Sequence, residues 1–260
     1  MSTQHQFDKF KTLIQGVDRT WKGFVVVRTA YDPDPATDAN QWSAVLDKLH
    51  LYASVDLDIK FLVMDDREFL EGMDYGAVRS LFKTWTKECR PCENEEGDET
   101  GWPSGVRHDC CLVIDGPALA SISAAPSRPP SPPSTYGHLG KEAAEKPWVV
   151  VVDSQAPEEV GYIGGGPYMG WFRAEVSALE ELIRELECSL EVHSRCRPRE
   201  YDGQIPLFNG RRGAMVDPPG GVAGRYKFPR GTPRGRDVAK AWIEDIRKAL
   251  GDDAVSGVRF

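Results

Sequence analysis

Asp65, Asp66 and Glu68 stand together directly after the apolar run Lys60 to Met64 (KFLVM). Hard divalent cations seek clustered carboxylates, and a strand end delivers neighbouring side chains to one place, so this cluster suits Mg²⁺ chemistry. The plainer reading is a charged turn in which Asp65 or Asp66 pairs with Arg67, since no histidine or lysine base accompanies the cluster nearby. Arg28 raises a different question, because it ends an otherwise apolar run and alternates on the same face as Phe24 and Val26. A charge there must be paired or must face a cavity. A buried ion pair is the structural expectation for Arg28, and an anion contact the functional one. Arg173, two residues after Trp171 in its own run, invites the same reasoning. Arg28, Asp65, Asp66, Trp171 and Arg173 are therefore the candidate ligand-binding residues.

Four of the six cysteines fall between Cys89 and Cys111, in CRPCENEEGDETGWPSGVRHDCC, with His108 among them. Thiolates and an imidazole suit tetrahedral zinc, and a CxxC knuckle lowers the ordering cost. Against that, Cys110 and Cys111 open an apolar run and so point to opposite faces of a strand, and only one CxxC is present. Glu93, Glu95, Glu96, Asp98 and Glu99 give the loop the composition of a solvated flap. The expectation is buried free thiols in the strand, an exposed CxxC, no metal and no cofactor. GYIGGGPYMG, from Gly161 to Gly170, has the glycines of a phosphate loop but neither Gly-Lys-Ser/Thr nor an immediately following helix, so it reads as a flexible connection. His50, His108, His138 and His193 show no partners from which a catalytic arrangement can be assembled.

The elements that would position these residues follow from periodicity. Phe7, Phe10, Leu13, Ile14 and Val17 give a first amphipathic helix, in a segment spanning residues 1–20. Gly23 to Tyr31 is a β-branched strand ended by Asp32-Pro33-Asp34-Pro35, and Asp38 is expected to cap a helix striped by Trp42, Val45, Leu46, Leu49 and Tyr52. KFLVM is a second strand, Asp74 opens a helix with Val78, Leu81, Phe82 and Trp85 inward, and CCLVI is a third strand. A low-complexity, proline-rich linker near residues 124–146 interrupts the core domain, 21–190. WVVVVD and Tyr168 to Val176 are further strands, and Ser177 with Glu180 predicts a capping box for the helix carrying Leu179, Leu182, Ile183 and Leu186. Residues 191–236 read as irregular, and residues 237–260 as a last helix and tail starting at Asp237. This order predicts an α+β protein with a mixed or antiparallel sheet packed by helices, a ferredoxin-like arrangement being the first guess.

The 260 residues carry a net charge of −8, which argues against a chain built wholly for nucleic acid. The charge is uneven: Arg211, Arg212, Arg225, Lys227, Arg230, Arg234 and Arg236 meet only Asp217 between Gly210 and Arg236. Weak RNA contact through those arginines is open, with neutralisation of the acidic body the simpler expectation. No secretory leader or membrane-length apolar window is visible, so a soluble cytoplasmic protein without a membrane partner is expected.

The order of GFVVVRTAYD, a tryptophan-bearing helix, DDREFLEGMDYGAVRSLFKTW, HDCCLVIDGPALASI, a valine-rich strand and GWFRAEVSALEELIREL resembles a set of uncharacterised filamentous-fungal proteins. The likeness runs over roughly Trp21 to Leu190. It implies a fungal intracellular protein and attaches no activity to it. The residues therefore favour a non-catalytic binding or interaction module for a small anionic ligand or a protein partner. The alternatives are a hydrolase or transferase, Mg-dependent or not, using Asp65, Asp66 and Arg28 in a cleft, and weak RNA binding by residues 210–236.

Overall fold

A computed structural model describes residues 3–18, 21–53, 57–89, 105–129, 146–160, 168–188, 192, 205–210 and 214–216, with 240, 244, 247 and 248. Among these residues seven strands make one mixed sheet: β1 (Lys22–Arg28), β2 (Ile59–Met64), β3 (Cys110–Ile114), β4 (Trp148–Asp153), β5 (Trp171–Glu175), β6 (Ile205–Phe208) and β7 (Ala214–Val216). Their order is β2-β1-β3-β4-β5-β6-β7. β1 runs parallel to both β2 and β3, β4 is antiparallel to β3 and β5, β6 is parallel to β5, and β7 is antiparallel to β6. The α+β class with a mixed sheet holds. The ferredoxin-like arrangement does not, because β1, β2 and β3 form a parallel trio with helices in their connections, whereas that arrangement needs antiparallel neighbours.

The helices are α1 (Thr3–Gln15), α2 (Pro35–Ala53), α3 (Arg67–Leu70), α4 (Tyr75–Cys89), α5 (Gly116–Ala124) and α6 (Leu179–Glu187). The period-two alternation of each strand divides the interior between them. Phe24, Val26, Cys110, Leu112, Val149, Val151, Phe172 and Ala174 pack on one face with Trp42, Val45 and Leu49 of α2, Ile122 of α5 and Leu182 and Ile183 of α6. Val25, Val27, Leu62, Met64, Cys111, Val113, Val150 and Val152 pack on the other with Phe10 and Ile14 of α1 and Val78, Phe82 and Trp85 of α4. The Phe10 and Trp85 rings stack at 4.8 Å. β1, β3 and β4 have helices on both faces and so read as continuous apolar runs.

Several local expectations are corrected. Asp34 caps α2: its carboxylate accepts from the Thr37 N–H (2.9 Å) and hydroxyl (2.6 Å), with Pro35 at the first helical position. Asp38 thus lies one turn in, free to serve β1. The charged turn after β2 contains the single helical turn α3. The residues between β3 and the proline-rich linker, to which the sequence reading assigns no element, form α5, where Asp115 accepts from the Ala118 N–H at 2.8 Å and Pro117 sits in the first turn. Lys48 closes the other end of α5, donating to the carbonyls of Ser123 and Ala125, each at 2.6 Å. The strand expected from Tyr168 starts only at Trp171, because Gly170 breaks the backbone at φ +76°. No Ser177–Glu180 capping box forms, since Val176–Ala178 is a 3₁₀ turn that places Ser177 inside it. Two strands, β6 and β7, occupy part of the segment read as irregular. Of the last helix, Lys240, Glu244, Arg247 and Lys248 are helical. No helix among the described residues is long and apolar enough to cross a membrane.

Candidate functional site

The parallel trio places its carboxyl ends side by side. β1 leaves toward β2 through α2, while β3 lies on the other side of β1, so the chain reverses its lateral direction between β1 and β3. Open sheets bind ligands in the crevice outside such a reversal. Arg28 is in register with Ile114, and the next residues, Thr29 and Asp115, flank the crevice, with the Thr29 N–H donating to the Ile114 carbonyl at 3.1 Å. The Gly72 N–H donates back to the Thr29 carbonyl at 2.9 Å, bringing the loop before α4 over the strand end. Gly72 takes φ +72°, a conformation that costs glycine nothing.

These elements enclose a cleft of about 310 Å³ lined by Thr29, Gly72, Met73, Asp74, Tyr75, Asp115 and Gly116. Asp74 and Asp115 cap α4 and α5, accepting from the Ala77 and Ala118 N–H groups, each at 2.8 Å. The Tyr75 hydroxyl donates to the second oxygen of Asp115 at 2.5 Å. Burial, then that hydrogen bond, raises the Tyr75 phenol far above its ordinary range, so it remains a protonated donor. The Tyr75 ring meets Trp171 at 4.7 Å.

The residues singled out in the sequence are distributed around this cleft and do not fill it. The Arg28 side chain is 4% exposed and forms an ion pair with Asp38. Its Nε donates to the Ala30 carbonyl at 2.9 Å, and its guanidinium lies 4.2 Å from the Tyr31 ring and 4.5 Å from that of Trp42. Asp38 also accepts from the Asp32 N–H at 2.6 Å. Asp66 accepts from Gln6 and Asp65 pairs with Lys9 at 3.2 Å, so both carboxylates are held by α1. Arg67 pairs with Glu71 and donates to the Asp32 carbonyl. Trp171 reaches the cleft through Tyr75, and Arg173 lies over the Trp148 ring at 3.7 Å.

Cys110 and Cys111 point into the two opposite cores, and burial raises both thiols well above the ordinary range. Cys92, the acidic loop, the Gly164–Gly166 run and Arg211, Arg212, Arg225, Arg230, Arg234 and Arg236 lie outside the described residues. Among the described residues, no group of three or more His, Cys, Asp or Glu side chains is arranged to hold a metal ion.

Thr29, Tyr75 and Asp115 were not singled out as site residues from the sequence. The signal that marks Asp115 is an aspartate between an apolar strand and Gly-Pro, in VIDGP, which is a strand leading into a capped helix. No protein-family model matches the chain, and no curated protein or solved structure matches it either.

Proposed function

We propose that the protein is a binding module that seats a small ligand in the cleft at the ends of β1 and β3 and does no chemistry of its own. One observation carries this reading: the groups that the sequence offers for catalysis are engaged within the fold, while the cleft beside them is open. Arg28 is consumed by Asp38, Tyr31 and Trp42 on the α2 side, whereas Asp66 accepts from Gln6 of α1 and Asp65 makes an exposed ion pair with Lys9 of the same helix, away from Arg28. A hydrolase built on Arg28, Asp65 and Asp66 asks all three to face one space. The cleft, in contrast, combines apolar and aromatic walls with a few convergent polar atoms and has a volume in the range of small-molecule sites.

The test compares thermal denaturation of the wild type and Gly116→Phe in pooled metabolites. A Cβ at Gly116 meets open space, so the variant fills the cleft without disturbing α5. A pool that raises the melting temperature of the wild type alone, with its components recovered unaltered by mass spectrometry, supports the module. Chemical conversion of a component that is lost on Asp65→Asn or Asp66→Asn overturns it in favour of the enzyme.

A further inference from the structure

α1 is seated on the body by contacts of mixed quality. It packs against β2 and α4, with Phe10, Ile14 and Val17 buried and the Phe10 ring stacked on that of Trp85. Its polar anchors to the body are Gln6, which donates to Asp66, and Lys9, which pairs with Asp65 in the open, where an ion pair contributes little. The same region encloses two polar atoms that make no hydrogen bond with any described residue: Gln6 Oε1 and the indole N–H of Trp85, on the ring that Phe10 covers. Both side chains are fully buried. A buried polar group without a partner keeps its whole desolvation penalty, and solvent lifts that penalty once the cover is removed. Each such atom therefore favours the uncovered state by roughly tenfold.

From this arrangement we infer that α1 is a releasable strap, which lifts from the body as a unit while the sheet stays folded and uncovers Leu62, Met64 and Trp85. The sheet can spare it because α1 lies against β2, the terminal strand, so β1, β3 and β4 keep their neighbours when it leaves. A groove of about 420 Å³ already parts the two helices, with Phe7 of α1 on one wall and Met73, Ala77, Leu81 and Trp85 among the residues opposite. Separation starts there. A helix of 13 residues is marginal in water without its seat, so release also melts α1, and the regained chain entropy favours the open state. The strap governs the acidic turn as well, since its release frees both Asp65 and Asp66. Arg28 stays with Asp38 in either state, so the three side chains still do not face one space.

Native-state hydrogen exchange of the full chain at neutral pH tests it, read by mass spectrometry on peptides covering α1, β1 and β3. The α1 amides are expected to be protected at least about a hundredfold less than those of the two strands. Val151→Ala weakens the opposite core, far from α1, and should lower strand protection by at least about tenfold while leaving α1 within about twofold. Urea below the unfolding transition separates the two openings without any substitution: strand exchange should accelerate steeply and α1 exchange only slightly, because lifting one helix exposes little surface. Ile14→Ala should speed exchange throughout α1 by at least about tenfold, residues 3–8 together with residues 9–15. Equal protection of α1 and the strands, or α1 exchange that follows theirs in urea and in Val151→Ala, overturns the strap, since α1 then opens only with the whole fold. Exchange of residues 3–8 that ignores Ile14→Ala overturns it too, because the helix end then merely frays.

Discussion

Removing the carboxylate of Asp38 while leaving Arg28 in place strands a guanidinium between two aromatic rings. The Arg28 side chain is 4% exposed and that of Asp38 14%, and among the described residues the guanidinium keeps the contact from Nε to the Ala30 carbonyl. Breaking a buried pair from one side costs about 3 to 5 kcal/mol, because the surviving charge keeps its desolvation penalty without a partner. The Asp32 N–H loses its acceptor as well. Arg28→Met is a milder change, since the methionine retains packing against Tyr31 and Trp42 and Asp38 keeps the Asp32 N–H, so about 2 kcal/mol is expected. The two together remove every orphaned charge. The double variant should therefore be more stable than Asp38→Ala alone, which requires a coupling greater than the roughly 2 kcal/mol lost in Arg28→Met. Urea denaturation of the four proteins at neutral pH, with m-values compared to establish a common two-state transition, supplies the numbers. An Asp38→Ala loss below about 1 kcal/mol, or additive losses in the double variant, refutes the claim that Arg28 is a structural ion pair.

Two further outcomes follow from the geometry. Gly170→Ala should cost about 2 kcal/mol or more in the same denaturation assay, because Gly170 has φ +76° and an added Cβ meets the Arg79 guanidinium at 2.0 Å, where Arg79 bonds the Gly170 and Asp153 carbonyls. The thiols predict an alkaline limit. Burial raises Cys110 and Cys111 in the native state, so they stay protonated where the unfolded chain's thiols ionise. The unfolded state then binds fewer protons, and stability falls as pH rises through about 9. A urea midpoint that is flat between about pH 8 and 10, or that drops equally in Cys110→Ala/Cys111→Ala, contradicts this.

Legibility in the sequence tracks the range of the forces involved. β1 and β4 are plain in GFVVVR and WVVVVD because β-branched runs need nothing beyond themselves, and Asp74 announces α4 by its spacing from Val78 and Phe82. α5 escapes because GPALASISA is rich in Gly, Pro, Ala and Ser and is held by Asp115 at one end and a lysine from α2 at the other. Arg28 is legible as a buried charge from its place in an apolar run. Its partner is not, because Asp38 reads from the sequence as a helix cap, and only the start of α2 at Pro35, with Asp34 as the cap, releases Asp38 to the strand. The cleft is the least legible feature. Thr29 and Asp115 are far apart in the chain and meet only through the parallel register of β1 and β3, which no local pattern encodes.

The antiparallel seam between β3 and β4 also has a history in time. β3 is five residues, CCLVI, all buried, and its first neighbour, β1, is made well before it. Its second neighbour, β4, begins only at Trp148, so at ordinary translation rates the other edge of β3 waits roughly two to seven seconds for its partner. An uncharged, strongly β-forming segment with an open edge is what aggregation begins from. Asp109 and Asp115 bracket that segment on both sides. A charge at each end of an apolar strand disfavours pairing through its open edge, so the residue that caps α5 also belongs to the chain's defence against misassembly.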